Sequence, residues 1–200
     1  MSAAGSRGPA SPRAASGAVR DRVGRERAGG EPGDRPDAAD GPDLFDAVLV
    51  LLGRLNYVWT NTESLLIHFV AGLARTDKES ATVIFLTLGS TTARLSVVRR
   101  LAKLSRVTPA CRDDVLAACH ALAEVLKLRN HYNHCIYAFD ENGSASTILM
   151  RVQDGRDSIR MGKTQAVSRE SIVAIEKALA DLRAANTRMW AIITRHGFPR

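Results

Sequence analysis

The sequence predicts an all-α fold: a bundle of four long helices with a small β-hairpin inserted before the last. Three observations carry this prediction. Hydrophobic residues make up 45% of the chain and aromatics only 5%, so the apolar content is mostly Ala, Leu, Val and Ile, a helix-favouring mixture. Apolar positions recur with the helical period in four separate segments. Only one short stretch, residues 147–161, reads as strands, around a hairpin turn at Asp154-Gly155. A length of 200 residues fits one domain with a tail.

Residues 1–42 are Ala, Gly, Pro, Ser, Arg and Asp with almost no large apolar side chain. Such a segment cannot bury enough surface to offset the entropy of ordering, so a disordered tail is expected, and residues 43–200 form the helical domain. The tail could serve as a tether or a weak RNA contact. A dispensable terminus is the simpler reading.

Pro42-Asp43 opens the first helix, with Asp43 as N-cap. Its stripe runs Leu44, Val48, Leu51, Leu52, Leu55, Trp59, Leu65, Leu66 and Phe69, interrupted by Thr62 and Glu63. Glu63 either pairs with an arginine of the third helix or faces solvent at the stripe's edge. His68 reads as a satisfied histidine rather than a ligand. Thr76-Asp77-Lys78-Glu79 forms a capping turn. The second helix is then expected over residues 79–105, burying Val83, Leu86, Ser90, Ala93, Val97, Leu101 and Leu104. Gly89-Ser90-Thr91-Thr92 lies within it and either admits a close neighbour or bends it. This is not a P-loop, because no Gly-Lys-Ser/Thr follows a strand. Arg99, Lys103 and Arg106, with Arg100 beside them, make the densest basic face in the chain. They are candidates for substrate binding, with the salt-dependent, sequence-blind affinity of phosphate contacts. A plain solvated face would look the same.

Thr108-Pro109 begins the third helix as N-cap and first helical residue. Asp113 and Asp114 suit its first turns, and Asp140-Glu141-Asn142-Gly143 ends it. The hairpin follows, made basic by Arg151, Arg156, Arg160 and Lys163. It forms either the rim of a substrate groove or an ornament between helices. Ser168 caps the last helix, with Ser171 three residues on, and Gly197 and Pro199 stop it after His196. Its stripe of Ile172, Ile175, Leu179, Leu182, Met189 and Ile193 looks structural.

The chemistry concentrates at the end of the third helix. Its buried stripe runs Val115, Cys119, Leu122, Leu126. At about 100° per residue, Arg129 and Asn133 continue that stripe, with Asn130 and His134 at its edge and His131 turned to solvent. A face made for burial thus ends in polar groups that are costly unless paired or used. Asn133 joins the candidates for substrate binding. Histidine carries protons near neutral pH, and arginine's planar fork holds phosphate.

Arg129-Asn130-x-x-x-His134 resembles the R-N-x-x-x-H signature of the HEPN superfamily, over residues 44–197. The resemblance implies a helical bundle that dimerises. It further implies a metal-independent ribonuclease whose two motifs meet at the dimer interface, with Arg129, Asn130 and His134 catalytic. The 2′-OH of RNA would be the nucleophile, and no cofactor or metal would be needed. A toxin or defence role would add a neutralising antitoxin. The alternative is a noncatalytic module that binds RNA or nucleotides, or only dimerises.

Composition agrees with an anionic partner. The net charge of +7 falls wholly on residues 44–200, since residues 1–43 hold seven Arg and seven acids. The three cysteines, at positions 111, 119 and 135, lack metal-site or disulfide spacing and suit a reducing cytoplasm. No stretch is long and apolar enough for a membrane span, and no secretory signal is expected.

Overall fold

The computed structural model describes residues 42–150, 153–160 and 162–200. The expected tail, through residue 41, and Arg151 of the expected hairpin lie outside the described residues. The described chain is mostly helical, with six α-helices, a three-stranded antiparallel sheet and a two-stranded ladder. The helices are α1 (Pro42–Glu63), α2 (Leu66–Ala74), α3 (Lys78–Thr87), α4 (Thr91–Leu101), α5 (Pro109–Asn133) and α6 (Arg169–Arg195). The strands are β1 (Cys135–Phe139), β2 (Ala145–Leu149), β3 (Gln153–Asp154), β4 (Ile159–Arg160) and β5 (Thr164–Ala166).

Two of the four expected helices are therefore split. The first breaks at Ser64-Leu65, where Leu65 N–H bonds to Thr62 O and Ile67 N–H to Ser64 O. These tighter three-residue bonds overwind the chain for one turn. The overwinding lets Glu63, Leu65 and Leu66 all be buried. The second breaks at residues 88–90. Leu88 is extended and Ser90 caps α4, accepting from Ala93 N–H at 3.2 Å. The break resets the helical phase. Ala81 and Phe85 are buried instead of Val83 and Leu86, which are 61% and 67% exposed. In α4 the core residues are Leu95 and Val98, while Ser90 and Leu104 are exposed.

α5 begins as expected, with Thr108 capping Cys111 N–H at 3.3 Å. It ends earlier than expected. Cys135-Ile136-Tyr137-Ala138-Phe139 is a strand rather than a helical extension, in keeping with its β-branched and aromatic content. β1 pairs with β2, and β2 with β5, in the order β1-β2-β5. The Asp154-Gly155 turn does form, but it joins only the short β3 and β4. β2 pairs with its neighbours in the larger sheet rather than across that turn, because its buried Ala145 and Thr147 face the helices.

The core lies where α6 packs on α1 and α5. Trp59, Leu55, Leu122, Ile175, Leu182, Met189 and Ile193 are almost fully buried, each contributing about 1.5–3 kcal/mol for a large apolar side chain. α2 lies under the C-terminal residues. Phe198 folds back edge-on to Phe69, their centroids 5.8 Å apart, and a Cβ on Gly72 would meet the Phe198 ring at 2.1 Å. Gly72→Ala should therefore displace Phe198 and cost about 2 kcal/mol in urea denaturation. An unchanged midpoint would mean that Phe198 is not docked there.

His196, next to that segment, shares Asp114 with Arg195, both at 2.9 Å. The His196 hydrogen bond, with Arg195, holds the Asp114 carboxyl below its ordinary range. A depressed folded value stabilises above the unfolded value, near 4, and that stability is lost as pH falls through the folded one. Acid scans of Asp114→Asn should accordingly show a flatter loss below about pH 4 than wild type. Burial pushes the Cys119 thiol up to about 12, so this thiol should resist alkylation until the chain unfolds.

Candidate active site

The last turns of α5 carry Arg129, Asn130 and Asn133, and His134 is the residue that ends the helix, its N–H bonded to Asn130 O at 3.1 Å. The break between α3 and α4 faces them. Gly89, Ser90, Thr91 and Thr92 form one wall of a cleft of about 310 Å³, and Arg129, Asn130 and His134 form the other. Arg94 and Glu63 lie at its base. A larger groove of about 380 Å³ runs between α5 and α6 past Ala121, Ala174 and Ala178, but its Lys177 and Asp181 pair with each other. The α3–α4 cleft brings the imidazole of His134 beside Arg129 and Asn130; a second cleft, of about 220 Å³, sets His196 near Arg75 and Arg106, but His196 is already paired with Asp114.

Glu63 organises the base of the cleft. Its carboxylate accepts from Trp59 Nε1 at 3.0 Å, Thr91 Oγ1 at 2.6 Å and Arg94 Nη1 at 3.0 Å. Neither reading open from the sequence is realised: Glu63 is buried rather than solvent-facing, and it pairs with Arg94 of α4, not with Arg129 of the motif. Arg94 is engaged through Nε and Nη1. Its Nε bonds the carbonyls of Phe85 and Leu88, and its guanidinium carbon sits 4.1 Å from the Phe85 ring centroid. It caps the end of α3 and fixes the break, leaving the cleft's cationic chemistry to Arg129.

Arg129 is half-buried, 5.5 Å over the Trp59 ring centroid, and its Nε donates to Asn56 Oδ1 at 3.2 Å. Asn56 and Asn133 bond each other at 3.0 and 3.2 Å. With its amide turned over, Asn133 would accept from Nε and Nη2 of Arg129 at 3.0 and 3.3 Å. In either orientation Nη1 is left for a ligand. Asn133 thus orients the arginine from an exposed position, and Asn130 lines the cleft itself. His134 is exposed, and its ring has no hydrogen-bond partner among the described residues. The N-terminus of α4 adds its dipole to the same cleft, and the whole suits an anion.

Other expected positions fall elsewhere. Arg99 turns inward to Cys119 O at 3.1 Å, and Arg106 bonds Leu73 O at 2.9 Å. Lys103 is exposed. These three sit toward the far end of α4 and beyond it, outside the cleft. His131 is not turned to solvent. Its Nε2 lies 3.4 Å from Thr147 Oγ1, and its ring stands edge-on to Tyr132. Sequence reasoning missed Asn56, a lone amide on the flank of an apolar stripe, and Thr91. Gly89-Ser90 did signal the bend that builds the wall. Among the described residues no group of three or more His, Cys, Asp or Glu is placed to hold a metal, and no helix is long and apolar enough to cross a membrane. Compared with protein-family models, curated proteins and solved structures, the chain matches none.

Proposed function

We propose that this chain is a HEPN-like, metal-independent endoribonuclease that works as a homodimer, with Arg129, Asn130 and His134 as its site. The observation that carries this reading is the convergence of all three, spaced as the R-N-x-x-x-H signature, on one polar cleft. His134 is open to solvent and unsaturated, as a proton carrier must be. In the reaction a base removes the 2′-OH proton, the 2′-oxygen bonds to phosphorus, and the 5′-oxygen leaves with a proton from an acid. Arg129 would hold the non-bridging oxygens as charge builds on them. Asn130 would bond a phosphate oxygen or the ribose. His134 can move one proton at a time, so a second group must move the other, and a second copy of the chain is the natural source.

The test is incubation of the purified protein with a labelled, structured RNA in EDTA. Discrete fragments are expected. Bound but uncut RNA in a gel shift would favour the second reading, a noncatalytic RNA- or nucleotide-binding module. One observation speaks for it: among the described residues no side chain orients the His134 ring, whereas catalytic imidazoles are commonly held by a partner. If the protein acts as a toxin, a neutralising antitoxin would have to cover this cleft.

A further inference from the structure

We infer that the outer face of α1 carries a second nucleotide subsite beside the cleft: the Tyr57 ring stacks on an unpaired base of an RNA strand, Arg54 pairs with the phosphate next to it, and Asn61 bonds the base edge. The inference rests on the reading of the cleft as an RNA site for the course of the strand, and not on cleavage.

α1 already serves the cleft from its inner side. Trp59 lies under Arg129, and Asn56 bonds both Arg129 and Asn133. Tyr57 follows Asn56, turned from it by about 100° around the helix. At 72% it is the most exposed large hydrophobic side chain among the described residues. Between Asn56 and Tyr57 the helix surface is low. Gly53 is three residues before Asn56 and four before Tyr57, and Thr60 is four after Asn56 and three after Tyr57, so each neighbours both. A Cβ on Gly53 would meet nothing within 4 Å, and Thr60 Oγ1 folds back on Asn56 O at 3.1 Å. A strand whose phosphate sits at Arg129 can leave the cleft over Gly53 and Thr60 and meet Tyr57 without crossing a bulky side chain of α1.

A lone exposed tyrosine needs no explanation, but Tyr57 is not alone. Its neighbours three and four residues away are Gly53, Arg54, Thr60 and Asn61. None is a large apolar residue, so on its own helix the ring lacks the apolar surround of a protein hot spot. It stands instead between a guanidinium and an amide. That set suits an unpaired nucleotide: bases stack on aromatic rings, arginine holds phosphate, and amides bond base edges.

The three groups are free to act. Arg54, Tyr57 and Asn61 are exposed, and their side chains have no hydrogen bond, ion pair or ring contact among the described residues. Arg54 is the only charged residue between Asp46 and Glu63. Asp46 lies about 12 Å back along the helix axis, and Glu63 is buried on Trp59 and Arg94. No carboxylate of α1 competes for Arg54. A base in a duplex is stacked on its own neighbours, so the subsite takes RNA that is unpaired where it leaves the cleft.

The test is fluorescence anisotropy of the full chain with a labelled single-stranded RNA of about eight nucleotides, its riboses 2′-O-methylated so that 2′-OH attack cannot occur. Tyr57→Ala should weaken binding about tenfold, the loss of one stacked base, whereas Tyr57→Phe, which keeps the ring, should stay within about twofold of wild type. Arg54→Ala should lower the slope of log affinity against log salt by about 0.7. Val173→Ala, at a residue 64% exposed on α6, should change nothing. Melting temperatures should hold, because these side chains touch nothing. The complementary duplex should bind wild type and Tyr57→Ala alike. No binding of the single strand, equal affinity in Tyr57→Ala, equal losses in the Phe and Ala variants, or the same loss in Val173→Ala would overturn the inference. So would a lower solution mass in Tyr57→Ala than in wild type, which would assign the ring to a protein contact. Cleavage of the unmodified RNA is read separately. Binding through Tyr57 without cutting overturns the ribonuclease reading and leaves the subsite, while cutting with an affinity independent of Tyr57 does the reverse.

Discussion

His134→Ala should lower RNA cleavage by about 10²–10⁴-fold, with the melting temperature unchanged. The second half follows from the structure: the ring is exposed and bonds nothing among the described residues, so its loss removes no packing. Arg129→Ala should cost cleavage about 10²–10³-fold, the usual effect of removing one donor aimed at developing charge. It should also lower stability slightly, because Arg129 holds Asn56 and lies over Trp59. Arg129→Lys should not rescue it. A lysine cannot bond Asn56 and present a fork to phosphate together. Single-turnover rates and thermal melts on the same preparations check all three. A His134→Ala rate within threefold of wild type would remove the imidazole from the chemistry.

Glu63→Ala should be among the most destabilising single changes near the cleft. It strands Arg94, Trp59 Nε1 and Thr91 Oγ1 at once. Breaking a buried pair typically costs 3–5 kcal/mol, and about 3 kcal/mol is expected here because the Arg94 side chain keeps 20% exposure. Glu63→Gln, which keeps an acceptor for Trp59 or Thr91, should cost about half as much. Urea denaturation measures both. A loss below about 1 kcal/mol for alanine would mean that water replaces the carboxylate freely. Arg94 also anchors the carbonyls that end α3. Glu63→Ala should therefore loosen the wall formed by residues 89–92 and lower cleavage even where the protein stays folded.

The buried face of α5 was legible in the sequence because its stripe is unbroken, and Val115, Cys119, Leu122 and Leu126 are all buried. The stripe of α1 was legible as far as Trp59 for the same reason. Beyond it, periodicity kept matching across the overwound turn at Ser64-Leu65, so one helix was expected where two stand. In α3 and α4 the break at Gly89-Ser90 changed the phase, and a stripe extrapolated through it named Val83 and Leu86 as core. At the site, spacing on one helix sufficed to group Arg129, Asn130, Asn133 and His134. What lies opposite them was hidden, because Asn56 and Thr91 reach the cleft through contacts of 73 residues to Arg129 and 28 residues to Glu63. Single-sequence patterns carry no information on such pairs. The basic row Arg99, Lys103 and Arg106 shows the opposite error: α4 ends at Leu101, before the last two, and Arg99 and Arg106 spend donors on backbone carbonyls.

The measurement that tests the central claim most directly is the chemistry of the fragment ends, made by wild type in EDTA from an RNA and from the same RNA with one 2′-deoxy sugar at the cut site. Attack by the 2′-OH predicts a 2′,3′-cyclic phosphate on one fragment, a free 5′-hydroxyl on the other, and no cut at the 2′-deoxy position. Fragments with 5′-phosphate and 3′-hydroxyl ends, or cutting at the deoxy position, would contradict it.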